Sequence, residues 1–190
     1  FVLVVAGLLA LVDYSTAPCQ PGNPAHVWPR NAAPTLATDH PTLVMFLHPQ
    51  CSCSRASLHQ LSRLLADATV PIHLQTLVFC PEDEPDEWAH TDLWRLADEL
   101  VDSTPSIDRQ GREAKRFRAT TSGHVMLYRR TGELVFSGGI TSGRGHEGDN
   151  IGCKKIRRIL RGEEDRLQRF PVYGCAIHAP GDGTAVGGAG

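Results

Sequence analysis

Phe46-Leu-His-Pro-Gln-Cys-Ser-Cys-Ser-Arg55 is the stretch on which the reading of this chain turns. It begins inside an apolar run, residues 42–47, of the kind expected of a buried central strand. It ends where Leu58, Leu61, Leu64 and Leu65 begin to fall on one face of a helix. Cys51 and Cys53 therefore stand at a strand-to-helix junction. Unpaired N–H groups and the macrodipole at a helix start stabilise a thiolate, lower its pKa and make it nucleophilic. A second thiol two residues on can resolve a mixed disulfide or close a very small, strained and hence labile ring. C-x-C alone is a weak motif, and two inert buried thiols are the bland alternative. The placement strengthens it.

Outward from the junction, residues 70–79 read as a second strand, with Pro71 tolerated at its start. Pro85 is expected to open a second helix running to about residue 101, with Trp88, Leu93, Leu96 and Leu100 toward the core. Ile107 sits in a short extended piece before a Gln110-Gly111 turn. Residues 125–128 and 134–136 form a hairpin in which Gly132 supplies the turn. A last helix, capped by Asp149 or Asn150, buries Ile156, Ile159 and Leu160. The order β-α-β-α-(β)-β-β-α implies an α/β fold: a mixed sheet with helices on both faces.

The chain has 190 residues, enough for one domain with an appended segment. Nineteen basic against 21 acidic residues exclude the basic surface of a nucleic-acid binder, so no nucleic-acid partner is expected. Six cysteines are too few for a disulfide-built miniprotein. The chain opens on Phe1, not Met, and its first twelve residues carry no polar side chain. Residues 1–13 are read as the remainder of a transmembrane helix, or as a signal segment, lying outside the domain and anchoring it to a membrane. Pro-rich residues 14–40 are read as a linker, 41–177 as the domain, and Gly-rich 178–190 as a disordered tail. A dithiol at work then belongs in the periplasm or another extracytoplasmic space.

Strand–[x-P-x-C-x-C-S-R]–helix followed by strand, helix, hairpin and helix resembles the thioredoxin-like superfamily, particularly its membrane-anchored, extracytoplasmic members. His48-Pro-Gln-Cys-Ser-Cys-Ser-Arg55, Thr121-Ser-Gly-His124, Phe136-Ser-Gly-Gly-Ile-Thr141, Arg144-Gly-His-Glu-Gly-Asp-Asn150 and Val172-Tyr-Gly-Cys175 resemble RedB-type proteins more narrowly. The resemblance implies a thiol–disulfide oxidoreductase acting on protein thiols and disulfides. Cys51 matches the attacking cysteine of C-x-x-C, Ser54 falls on the second, and Cys53 comes one residue early. The cis-proline position falls near Ser122-Gly123-His124, which holds no proline.

On this reading Cys51 attacks and Cys53 resolves, with Cys51 the more exposed and more acidic thiol and residues 51–53 not all helical. His48, Ser54, Arg55, Gly123, His124, Arg144 and His146 are the supporting candidates, and Gly123 is expected to approach the cysteines. No cofactor is expected. The alternative is a copper or zinc module built from Cys51, Cys53 and either His48 or His124. A peroxidase-like Cys51 and a non-catalytic interaction domain are further readings. Gly143-Arg-Gly-His-Glu-Gly148 is a literal G-x-G-x-x-G, but its strand belongs to a hairpin and no parallel partner follows, so it reads as a shaped loop beside the thiols. Cys80 reads as a buried structural thiol. Cys153 and Cys175 either pair to tie down the C-terminal segment or are independent.

Overall fold

The computed structural model describes residues 2–19, 22–163 and 166–177. The tail expected at 178–190 lies outside the described residues. Six strands form one sheet: β1 (Thr42–Leu47), β2 (His73–Cys80), β3 (Pro105–Arg109), β4 (His124–Tyr128), β5 (Leu134–Gly138) and β6 (Gln168–Arg169), in the order β3-β2-β1-β4-β5-β6. β1 pairs parallel with β2 and antiparallel with β4. β2 and β3 are parallel, β4 and β5 antiparallel, and β6 lies parallel to β5.

β1 is interior because both of its faces are apolar. Leu43, Met45 and Leu47 join one core, and Val44 and Phe46 join the other. Over the first face lie α2 (Cys53–Ala66), α3 (Asp92–Asp98) and α5 (Ile151–Leu160), through Leu58, Leu61 and Leu64, Leu93 and Ala97, and Ile156 and Ile159. Leu61 is fully buried in this layer. Leu61→Ala is expected to cost about 2–5 kcal/mol of unfolding free energy in a urea titration.

The opposite face is covered by α4 (Arg112–Phe117) and by the chain ahead of β1. Trp28 meets Phe117 and Tyr128 edge to face, each with ring centroids 5.1 Å apart. The Tyr128 hydroxyl donates to Ala25 O at 2.8 Å, and Leu134 N–H donates to His26 O at 2.9 Å. The Pro-rich stretch expected as a linker is thus extended, but part of it lies against the domain.

Ahead of it, α1 (Val2–Thr16) is a helix with Leu3, Leu8, Leu9, Leu11 and Val12 exposed. No helix among the described residues is long and apolar enough to cross a membrane.

Several expectations need correction. The helix expected from Pro85 to about 101 is a short 3-10 turn, Asp86–Trp88, and then α3. Thr91 breaks it: its backbone is extended and its hydroxyl donates to Pro49 O at 3.1 Å. The piece around Ile107 is a full edge strand. α4 and β6 were not foreseen. The start of α4 is held from β3 by Asp108, whose carboxylate accepts the N–H groups of Glu113 and Ala114 at 2.8 and 2.9 Å. The hairpin turns at Gly132, whose φ of 83° suits glycine. Asn150, not Asp149, caps α5, its side chain accepting Cys153 N–H at 2.8 Å.

Candidate active site

β1 ends at Leu47 and α2 begins at Cys53, so Cys51 lies in the connecting turn and residues 51–53 are not all helical. Cys51 N–H donates to His48 O, and Cys51 O accepts from Ser54 N–H, both at 3.0 Å. The turn is thereby closed on itself with the Cys51 sulfur at the helix start. β4 begins beside it, because Phe46 pairs with His124 and Gly123 N–H donates to Phe46 O at 2.7 Å. Gly123 reaches the first turns of α2, where an added Cβ would stand 3.0 Å from Ser57 Oγ.

The C-terminal segment completes the site. After β6 it crosses the end of β5, with Gly139 N–H donating to Pro171 O at 3.0 Å. It then runs along residues 120–122: Ser122 N–H donates to Cys175 O at 2.8 Å, and Ile177 N–H to Thr120 O at 2.9 Å. This brings Cys175 against Cys51, and Cys175 N–H donates to the Cys51 sulfur at 3.3 Å. The six cysteines are all unpaired. Cys175 is therefore not bonded to Cys153, which is buried at the start of α5 with its sulfur toward Ile140 O at 3.8 Å. Cys80, buried at the end of β2, accepts from Arg109 at 3.2 Å.

Burial pushes the Cys51 pKa up, but donors outweigh it and hold the thiol below its ordinary value. They are the Cys175 thiol, the Ser54 hydroxyl and the backbone N–H groups of both residues. Ser54 belongs to a chain of donors. His48 N–H donates to Ser122 Oγ at 2.7 Å, and the Ser122 and Ser54 hydroxyls are 2.6 Å apart. Ser122 thus links the His48 amide to Ser54, whose hydroxyl lowers the Cys51 pKa.

Cys53 is pushed up by burial and by the neighbouring Cys51 charge. Cys175 is pushed up to about 12 by burial, then by its hydrogen bond to Cys51 and by that sulfur's charge. The order of acidity is as expected, with Cys51 ahead of Cys53. The order of exposure is reversed: Cys51 is 0 % exposed and Cys53 is half-buried. The cause is the C-terminal segment seated on Cys51. An open groove of about 450 Å³ still reaches Cys51, between Gln50, Arg55, Thr91 and Asp92.

Alkylation by iodoacetamide across pH, resolved by peptide mass spectrometry and normalised to each plateau, is expected to reach its midpoint first at Cys51, below the ordinary thiol value. A Cys51 midpoint at or above that of Cys53 would show that the donors do not stabilise its thiolate.

The other candidates divide. Arg144 does reach the thiols: its charge pulls the Cys53 pKa down against burial, and its Nη2 donates to the Cys19 sulfur at 3.2 Å. Its Nη1 donates to Gly174 O. Its loop is fixed to α2 by Glu147, which meets His59 at 2.6 Å and Arg63 at 2.9 Å. The G-x-G-x-x-G stretch is thus the loop that delivers Arg144. His146 in it is exposed. Arg55 is exposed and lies 3.7 Å from Asp92.

His48 stacks on Phe79, centroids 5.3 Å apart, and its Nδ1 accepts from Gln50 N–H at 3.3 Å. His124 is buried, with Nε2 2.7 Å from Ser137 Oγ and Nδ1 without a partner. Burial lowers its pKa to about 4, so it carries no charge to offer a thiolate near neutral pH. Among the described residues no group of three or more His, Cys, Asp or Glu side chains is arranged to hold a metal ion.

The sequence reading missed Cys175, Ser122 and Cys19 as parts of this site. Val172-Tyr-Gly-Cys175, one of the stretches that carry the resemblance, was the available signal for Cys175.

No protein-family model matches the chain, and no curated protein matches it. Among solved structures it is similar to an uncharacterised conserved protein from Geobacillus kaustophilus, at 18% identity and a TM-score of 0.61, over 88% of this chain and 94% of that one. It is also similar to a hypothetical protein from Sinorhizobium meliloti, at 18% identity and a TM-score of 0.55, over 88% and 98%. At such identities the likeness is one of fold.

Proposed function

We propose that this chain, whose thioredoxin-like fold places a buried central strand and an amphipathic helix around Cys51, is a thiol–disulfide oxidoreductase acting on protein disulfides outside the cytoplasm. The observation that carries the reading is the Cys51 sulfur itself. It sits at a helix start, accepts an N–H at 3.3 Å and is held below the ordinary thiol pKa. Cys51 attacks as thiolate and forms a mixed disulfide, releasing one thiol of the partner. A second thiol of the centre, Cys53 in the C-x-C reading, then attacks the Cys51 sulfur and releases the other. Two electrons pass to the partner disulfide, and two protein thiols become one disulfide. No cofactor enters this balance.

The extracytoplasmic placement is supported by the exposed apolar side chains of α1, which suit a membrane-anchoring segment, and by chemistry that needs a compartment not kept reduced.

The test is a thiol titration in glutathione redox buffers, with and without added Cu(I). Loss of two thiols in a single two-electron transition, unaffected by sub-stoichiometric metal, is the expected result. A thiol count unchanged up to fully oxidising buffer, with one Cu(I) bound per chain, would replace the reading by the metal-binding one.

A further inference from the structure

Two thiols lie within reach of Cys51, and they differ in how they are held. Cys53 is the first residue of α2, two positions from Cys51 in a turn whose carbonyl and amide groups are already bonded. A disulfide between them would close a ring across a single intervening residue, and such rings are strained and readily reopened. Cys175 comes from a separate extended segment, 124 residues away in sequence. Its backbone is fixed on both sides: Cys175 O accepts from Ser122 N–H at 2.8 Å, and Cys175 N–H donates to the Cys51 sulfur at 3.3 Å. The two thiols are close enough to shift each other's pKa, Cys51 downward and Cys175 upward. Arg144 holds the neighbouring Gly174 carbonyl, to which the Cys19 thiol also donates at 2.9 Å. A bridge from Cys51 to Cys175 joins two strands of chain that already touch and closes no small ring.

We infer that Cys175 is a resolving thiol for Cys51, and that the disulfide formed when this centre is oxidised settles as Cys51–Cys175 rather than Cys51–Cys53. The inference rests on the oxidoreductase reading above and adds the third member of the centre. The partner disulfide is first opened by the Cys51 thiolate, giving a Cys51–partner mixed disulfide and one partner thiolate. The Cys175 sulfur then attacks the Cys51 sulfur. The Cys51–partner bond breaks, the Cys51–Cys175 bond forms, and the partner sulfur leaves with the electron pair and takes up the proton that Cys175 lost. The partner is reduced by two electrons and the pair of cysteines oxidised by two.

The electrostatics order the two steps. Burial first, then the hydrogen bond to Cys51 and that sulfur's charge, keep the proton on Cys175 while Cys51 is a thiolate. Once Cys51 is bound to a partner it is neutral; the last two restraints vanish, while burial and the attraction of Arg144 for a Cys175 thiolate remain. Cys175 is therefore easier to deprotonate in the mixed disulfide than in the reduced centre.

The experiment uses the full reduced chain and oxidised glutathione as the partner. The reaction is quenched with an alkylating agent, and disulfides are assigned by proteolysis and mass spectrometry. The expected product of the unmodified chain, and of Cys53→Ser, is Cys51–Cys175. In Cys175→Ser the Cys51–glutathione adduct is expected to persist at least tenfold longer. A dominant Cys51–Cys53 bridge in the unmodified chain would overturn the inference and leave the oxidoreductase reading standing. Absence of any glutathione adduct or bridge at Cys51 would overturn both. The unmodified chain decides between these outcomes without relying on the folding of a variant.

Discussion

Cys51→Ser is expected to reduce disulfide exchange by at least about 10³-fold, to the level of the uncatalysed reaction. A serine hydroxyl does not ionise near neutral pH and cannot form the sulfur–sulfur bond through which exchange proceeds. Everything around it stays in place. Oxygen is smaller than sulfur but accepts the same donors, so Cys175 N–H and the Ser54 hydroxyl keep a partner at position 51. The loss is thus one of chemistry, with thermal unfolding shifted little. Cys80→Ser and Cys153→Ser are the contrasting variants. Both thiols are fully or almost fully buried in the core away from the Cys51 turn, and both are pushed up by burial. Those changes are expected to lower stability by about 1–3 kcal/mol, as buried polar replacements do, and to leave exchange within a few-fold of the unmodified chain. Reduction of a protein disulfide, followed alongside thermal melts of the same preparations, separates the two behaviours. Substantial exchange in Cys51→Ser would remove Cys51 from the mechanism.

How far this site was legible in the sequence follows the range of the forces that build it. β1, α2 and the β4–β5 hairpin announce themselves through local pattern: an apolar run, a helical stripe, a glycine at a turn. All three are present. The dithiol sits at the junction of the first two, so its position was readable from the same signals. α4 was not readable, because its six residues offer only Ala114 and Phe117 to the core and its start depends on a carboxylate from β3. The helix expected from Pro85 failed for a similar reason: Thr91 bonds to Pro49, in the site loop, rather than continuing the turn.

The burial of Cys51 is the largest departure, and it is wholly long-range. Nothing near residue 51 shows that residues 170–177 will return along 120–122 and cover it. The surroundings of the histidines were hidden for the complementary reason. The sequence places imidazoles near the thiols, but what they touch depends on where the rings point. His48 stacks on Phe79 and meets Trp88 edge to face, and His124 lies against Ser137. Arg144 came out closer to expectation, since a shaped loop beside the thiols was foreseen and Arg144 is its cation at the site. Its function there is to bind two chain segments as well as a thiol: besides the bonds to Gly174 and Cys19, the Arg144 guanidinium lies 4.9 Å from the Tyr14 ring, and the Arg144 backbone N–H donates to Ser15 O at 2.9 Å.

Gly174→Val is expected to expose Cys51. A Cβ at position 174 would stand 2.0 Å from Ser122 O and 3.1 Å from Ser122 C, against backbone that cannot yield without disturbing β4. The C-terminal segment must move instead. It then loses the Arg144 and Cys19 bonds to Gly174 O, the Ser122 bond to Cys175 O and the Cys175 bond to the Cys51 sulfur. At about 1 kcal/mol each, these favour local detachment by about 3–4 kcal/mol, while the cores around β1 are untouched. The cover over Cys51 is gone, so its plateau alkylation rate at high pH should rise by at least about tenfold, as opening by more than about 1.4 kcal/mol implies. The midpoint of the profile is a poor readout here, because detachment removes both the burial that raises the Cys51 pKa and the Cys175 donors that lower it. Simple loosening of the whole fold would raise the rate at Cys153 as well. A rise in plateau confined to Cys51 and its neighbours is the signature of a segment that covers the nucleophile. An unchanged plateau would show that the C-terminal segment does not control access to Cys51.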